Sequence, residues 1–456
     1  MTRTLKSRLM IAAAVSTLAM IAAPAFAETV AIVNAHIFTC GPQGEIANGT
    51  VVIKDGKIAS VSAGGAPSGA RVIDAHGGVV TPGLIASDSE LGGVEVGQLG
   101  NDLSLKGADI GAAFDVSFGL DPDTTLGPVA RMGGITDAIV MPIPTGGGGD
   151  GEDMDLDDNS EFTAGVPGKS SAVSGLFAGQ AAVVNLGDGP DMLVKSRVAM
   201  VAPFGEGGGK VAGGARGAEY VELKDIFEDV RWYAKNRAAY DKGETRNLHV
   251  SRADLEALIP VVEGRQPLVV YVDRASDIRQ ALRFASEEHI RIILDGAAEG
   301  WRVAGDIASA HVPVIVYPLQ DLPVDFENLG STMENAGRLS NAGVEVMFKA
   351  ADGSHRVRET RYDAGNAVAH GMKWQAALDA VTINPAKAFG VSDRKGSLEP
   401  GKDADIVVWS GDPFEPATQP QAVLIGGREQ PLTDRQIELG KRYRTLGTPY
   451  PAQYDH

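Results

Sequence analysis

Cysteine and histidine are scarce in this chain, and neither is arranged for metal binding. Cys40 is the only cysteine among 456 residues, so no intramolecular disulfide can form and the fold must be held by its core. The histidines are His36, His76, His249, His289, His311, His355, His370 and His456. They include no His-x-His and no His-Glu-x-x-His pair, which excludes two compact zinc signatures. Positive charge is also short: 41 Lys and Arg stand against 59 Asp and Glu, a formal net charge of −18. That balance argues against nucleic acid and anionic membrane surfaces as partners. No apolar run beyond residue 23 approaches the length of a membrane span.

What is present is an ordinary globular composition, 44% apolar, in a chain long enough for one large α/β domain and a smaller module. The first residues read as a targeting signal. Arg3, Lys6 and Arg8 precede an apolar run from Leu9 to Ala23, and Ala25-Phe26-Ala27 supplies a small-x-small cleavage site. The run is short for a membrane anchor, so residues 1–27 are expected to be removed, with Glu28 starting a periplasmic or secreted protein. The signal carries three basic residues and no acidic ones, so the mature charge becomes −21.

Residues 28–80 read as short strands and turns, with Val30 to Val33, Gly49 to Ile53 and Lys57 to Val61 as strands and Asp55-Gly56 as a hairpin turn. Further along, candidate strands fall at Val79 to Ile85, Ile135 to Met141, Ala181 to Leu186, Val198 to Ala202, Pro267 to Val272, Ile290 to Leu294, Val312 to Val316 and Val344 to Phe348. Several are separated by helical stretches, such as Ala275 to Glu288, where Ile278, Ala281, Leu282 and Ala285 repeat at three and four. Eight such strands predict an α/β fold of the (β/α)8, TIM-barrel type. An insertion from Pro144 to Asn159, rich in Gly and Asp, reads as a loop at the barrel mouth. Asp153, Asp155 and Asp157 have the spacing of a calcium loop start, but Asp158 stands where that loop needs Gly and Ala164 where it needs Glu.

The pivotal stretch is Val79 to Leu91. It passes from branched apolar residues to Ala86-Ser87-Asp88-Ser89-Glu90. Strict alternation puts Ala86, Asp88 and Glu90 on one face, at the strand end where a parallel barrel keeps its chemistry. Thr81-Pro82-Gly83-Leu84-Ile85, Asp273-Arg274-Ala275-Ser276-Asp277-Ile278, Thr382-Ile383-Asn384-Pro385-Ala386 and the closing run Gly396 to Trp409 together resemble the amidohydrolase superfamily, closest to its imidazolonepropionase-like and prolidase-like branch. The resemblance implies a β-sandwich assembled from residues 28–80 and 387–435, a barrel at 81–386 and a tail at 436–456. It also implies a lineage that hydrolyses small amides, cyclic amides or dipeptides at C–N bonds, on one or two metal ions.

The matched ligand positions carry other residues. Asp88 and Glu90 replace the two histidines of the first strand, Tyr271 and Asp273 stand on the fifth, and Gly296 on the sixth. The eighth-strand Asp matches Ala351, with Asp352 one residue away as a candidate general base, and Glu206 matches a bridging ligand. No zinc-type site is expected. Two readings of the pocket remain. Asp88, Glu90 and Asp273, with Asp352, form an oxygen-donor site for a divalent cation such as calcium, magnesium or manganese. Alternatively Lys349, inward on the eighth strand, reaches Asp88 or Glu90 and replaces the metal's charge. Three functions follow: a pseudoenzyme or subunit paired with an active relative or with itself, an active hydrolase on an oxygen-donor metal, and a periplasmic binder of a small amide or amine.

Overall fold

The computed structural model describes residues 29–95, 101–105, 110–144, 174–349 and 353–444. The signal segment, most of the Gly/Asp insertion with its calcium-loop reading, Ala351, Asp352 and His456 lie outside them. Two eight-stranded sheets organise the described chain.

The first sheet is assembled from both sequence ends. Its strands are β1 (Val30–Phe38), β2 (Glu45–Lys54), β3 (Lys57–Ser62), β4 (Arg71–Asp74) and β5 (Val79–Pro82). After the barrel, β14 (Ile406–Trp409), β15 (Pro420–Ile425) and β16 (Arg428–Glu429) complete it. β5 is the seam, pairing parallel with β1 on one side and antiparallel with β14 on the other. The strands make one hydrogen-bonded sheet, bulged on β1 between Ile32 and Ile37, around a core that includes Ile32, Ile53, Ile58, Leu398, Ile406 and Leu424. A short helix, Arg435–Tyr443, follows it.

The barrel comprises β6 (Leu84–Ser89), β7 (Ile135–Val140), β8 (Gly179–Asn185), β9 (Leu193–Pro203), β10 (Leu268–Val272), β11 (Ile292–Gly296), β12 (Val314–Val316) and β13 (Val346–Phe348), hydrogen-bonded in that order. A parallel bridge between Ser87 and Lys349 joins the last strand to the first and closes the cylinder. The expected α/β barrel is therefore present, with two local differences. The stretch from Val79 to Ile85 is two strands, because Pro82 lacks an N–H and Gly83 lies so close to β7 that an added Cβ would sit 2.0 Å from Thr136 Oγ1. β5 thus stays with the first sheet and β6 starts the barrel. Moreover β8 runs antiparallel to both neighbours, so its amino end lies beside the carboxyl ends of the others.

Alternation sorts the barrel side chains. Ile85, Ile139, Val201, Val269, Ile293, Ile315 and Met347 pack together inside, whereas Leu84, Ala86, Ala138, Val270, Leu294 and Phe348 join the helices outside. The helix Ala275–Glu288 buries Ile278, Ala281, Phe284 and Ala285 against that outer layer.

A polar network ties the barrel base to the first sheet. Lys395, 5% exposed, lies 3.0 Å from Asp137 Oδ1 of β7 and 3.4 Å from Asp403, and it bonds Asp405 directly. Asn185 donates to Asp137 Oδ1 at 3.0 Å. Nearby Trp409, fully buried, donates its indole N–H to Thr81 Oγ1 at 2.9 Å and covers Gly134. Removing one partner of such a buried cluster leaves the others charged without compensation. Lys395→Met is expected to destabilise the protein by about 3–5 kcal/mol, read as a lowered urea midpoint, whereas Lys224→Met, in an exposed pair with Glu287, should change it by under about 1 kcal/mol.

Candidate functional site

Above the layer formed by Ile85, Val269, Ile293, Ile315 and Met347, the next inward positions are polar. Two residues on from each are Ser87, Tyr271, Asp295, Tyr317 and Lys349. The barrel therefore has an apolar floor and a polar mouth at the carboxyl ends of its parallel strands, where this architecture places chemistry.

Asp88 reaches that mouth by an irregularity. Regular alternation from buried, outward Ala86 would turn Asp88 toward the helices, so the sequence expectation that Ala86, Asp88 and Glu90 share a face does not hold. β6 carries a bulge: Ala86 pairs with Ala138 and Ser89 with Val140, three steps against two. Asp88 occupies the extra step at φ +48°, a left-handed conformation that Asp tolerates better than most residues. Its Oδ2 lies 2.7 Å from the Lys349 Nζ. The Lys349 backbone N–H donates to Val316 O at 2.9 Å, and its ammonium stands 5.4 Å from the Tyr271 ring centroid. One residue thus closes the barrel with its backbone and neutralises Asp88 with its side chain.

Asp295 is the residue at the mouth that candidate selection from sequence passed over. It is 1% exposed, and neither carboxyl oxygen has a hydrogen-bond partner of ordinary geometry. Burial, then the neighbouring Asp88 charge, pushes its carboxyl well above the usual range, with Lys349 and the Gly296 N–H only partly offsetting them. Counting two residues along β11 from Ile293 would have found it. Asp273 accepts from the Ala298 N–H at 3.2 Å. Burial is the main cause that raises its carboxyl to about 6. Tyr271 is likewise pushed upward, first by burial and then by Asp88 and Asp295.

Of the other sequence candidates, Glu90 borders the mouth, close enough to raise the Tyr271 phenol. Glu90 accepts a long contact from Ser354 Oγ, 3.4 Å, while that hydroxyl donates to Val94 O at 2.8 Å. Glu206 is exposed at the start of a short helix and pairs with Lys210 at 3.0 Å, so it is not a bridging ligand here. His355 is exposed, and His370 bonds the Asn366 carbonyl of its own helix.

Metal ligation of the zinc type does not fit these residues, whose donors at the matched positions are carboxylates, a phenol and a glycine. Gly296 gives the clearest test. It has φ +89°, and an added Cβ would meet Asp273 Oδ1 at 2.5 Å. The Asp273 carboxylate therefore occupies the space through which a sixth-strand ligand would project. Asp352, a member of the oxygen-donor alternative, lies outside the described residues; among the described residues no group of three or more His, Cys, Asp and Glu is placed to hold an ion, and an ammonium lies 2.7 Å from Asp88.

Gly296→Ala should destabilise the protein by about 1–3 kcal/mol through its positive φ and the Asp273 contact. In a double-mutant cycle with Asp273→Ala, part of that loss should be recovered, because the clash goes while the strained φ remains. Asp273 also gives a pH signature. Its ordinary value of 3.8 rises to about 6 in the fold, so the folded state holds the proton more tightly, and this carboxyl's contribution falls as pH rises from about 4 to about 6. Denaturation midpoints measured across that window should show the fall, and Asp273→Asn should remove it.

A model described as the amidohydrolase family matches residues 233–431. Among solved structures, an amidohydrolase from Thermotoga maritima MSB8 is similar with a TM-score of 0.73 and 25% identity, over 88% of this chain and 99% of that one. A prolidase complexed with N-methylphosphonate-L-proline is similar with a TM-score of 0.51 and 14% identity, over 88% and 99% of the two chains, a likeness of fold alone. Urease subunit alpha of Staphylococcus aureus (strain MRSA252) is 35% identical over 111 residues, which is 24% of this chain and only 18% of that protein. The barrel, the sheet built from both sequence ends, the family match over residues 233–431 and the likeness to the Thermotoga maritima amidohydrolase support the amidohydrolase superfamily for this chain.

Proposed function

We propose that this is an exported amidohydrolase-fold protein in which metal-centred hydrolysis of C–N bonds has been given up, and in which the barrel mouth serves binding or assembly with a partner. One observation carries the reading: the Lys349 ammonium lies 2.7 Å from Asp88, at a position where the family resemblance implies a metal ligand. A fixed ammonium there repels a divalent cation and neutralises the carboxylate that would bind it. Without a bound cation, nothing among the described mouth residues lowers the pKa of water toward neutrality, which is the step this lineage depends on. Several members of one catalytic unit are changed together, and losing even one such member removes most of the rate.

Export rests on the sequence alone, on Arg3, Lys6 and Arg8 before the apolar run and on Ala25-Phe26-Ala27 after it.

The mature protein, supplied in turn with zinc, manganese and magnesium, is expected to show no turnover of dipeptides, N-acyl amino acids or hydantoins above the buffer rate. Lys349→Met should not create any. Turnover that disappears in Asp88→Asn would overturn the reading. The N-terminal sequence of the protein recovered from a periplasmic fraction should begin at Glu28, and retention in the cytoplasm with residues 1–27 attached would contradict export.

A further inference from the structure

We propose that the barrel mouth binds a small organic ammonium ion, anchored on Asp295 beside the Lys349–Asp88 pair, an assignment that rests on the metal-free reading above. Asp295 has two buried carboxyl oxygens, and neither has a hydrogen-bond partner of ordinary geometry, the Gly296 N–H being its one weak backbone donor. Leaving a buried acceptor unsatisfied is costly, and leaving a buried carboxylate so is costlier still. Among the described residues the groups that act on it are Asp88 and Asp273, with Lys349 as the counter-charge, and Asp295 in turn acts on the Tyr271 phenol. Lys349 lies 2.7 Å from Asp88, and at Asp295 it only partly offsets the neighbouring acids.

The complement of that arrangement is a cation carrying hydrogen-bond donors. An anion is repelled by the neighbouring acids, and only a cation offsets the charge that Asp295 carries when it ionises. A bare divalent ion requires several oxygens around it, and no group of three ligating side chains is placed for one among the described residues. An ammonium requires less: its N–H groups satisfy acceptors one at a time, in short charge-assisted bonds. The Tyr271 ring beside Lys349 supplies an aromatic wall of the kind that receives the carbon end of an alkylammonium. The apolar floor of Val269, Ile293 and Ile315 lies just below Asp295 and excludes water from the bond, which strengthens it.

Titration calorimetry on the full mature protein tests this, with propylammonium, 2-hydroxyethylammonium and putrescine as probes, tetramethylammonium as a cation without N–H donors, and propionate as an anion. The expected result is saturable one-to-one binding of at least one primary ammonium, weakened about tenfold or more for tetramethylammonium and in Asp295→Asn, with no heat from propionate. If Asp295→Asn does not fold, intermolecular Overhauser contacts between the bound probe and the Tyr271 ring in the unmodified protein replace it. Absence of saturable binding, unchanged affinity in folded Asp295→Asn, or probe contacts remote from Tyr271 overturns the proposal. Failure to bind any ammonium in a protein that also lacks hydrolase activity overturns this inference alone. Stoichiometric binding of a divalent ion that displaces the ammonium overturns both it and the metal-free reading.

Discussion

The barrel closes where its charge is balanced. Lys349 completes the cylinder by its backbone bridge to Ser87, and one residue further along β6 the Asp88 carboxylate meets the same lysine's ammonium. Opposite charges at that distance in a partly desolvated mouth hold each other far more firmly than on a surface. The bulge on β6 is what permits it, since without the extra residue Asp88 would turn outward toward the helices. Closure of the barrel and the electrostatics of its mouth are therefore coupled. The change in ligand chemistry also goes with a local change of backbone demand, seen again where Asp273 lies against Gly296.

The fold was legible because its signals are local and repeated. Branched apolar runs mark the strands, the three-and-four spacing from Ile278 to Ala285 marks a helix, and the closing segment Gly396 to Trp409 marks the return to the first sheet. Less legible were features set by partners distant in sequence. The antiparallel course of β8 leaves no trace in Ala181 to Leu186, since a buried strand reads the same in either direction. The split at Pro82-Gly83 was visible as punctuation, but assigning its halves to different sheets requires knowing that Thr136 crowds Gly83.

The same division holds at the site. Lys349 was reachable by counting along one strand, because β13 is regular. Asp88 was named, but for a face that the bulge invalidates, as alternation cannot foresee an inserted residue. Asp295 is reachable by the same counting from Ile293, whereas the family's ligand position on that strand falls on its neighbour Gly296. The Lys395 network could not be read at all, for its members at 137, 395, 403 and 405 meet only once the barrel base is docked on the sheet. Buried charge thus appears at both ends of the barrel with different consequences: below, Asp137, Asp403 and Asp405 share Lys395 and hold barrel and sheet together; above, Lys349 lies against Asp88 and only partly offsets Asp295.

The chemistry of the barrel mouth is decided by which cation faces Asp88. Anomalous diffraction from crystals of the mature protein, purified without chelator and soaked in manganese or zinc, addresses that atom by atom. It should show no anomalous peak in the barrel mouth, and continuous ammonium density from Lys349 to Asp88. A peak ligated by Asp88, with Lys349 displaced from it, would contradict the account.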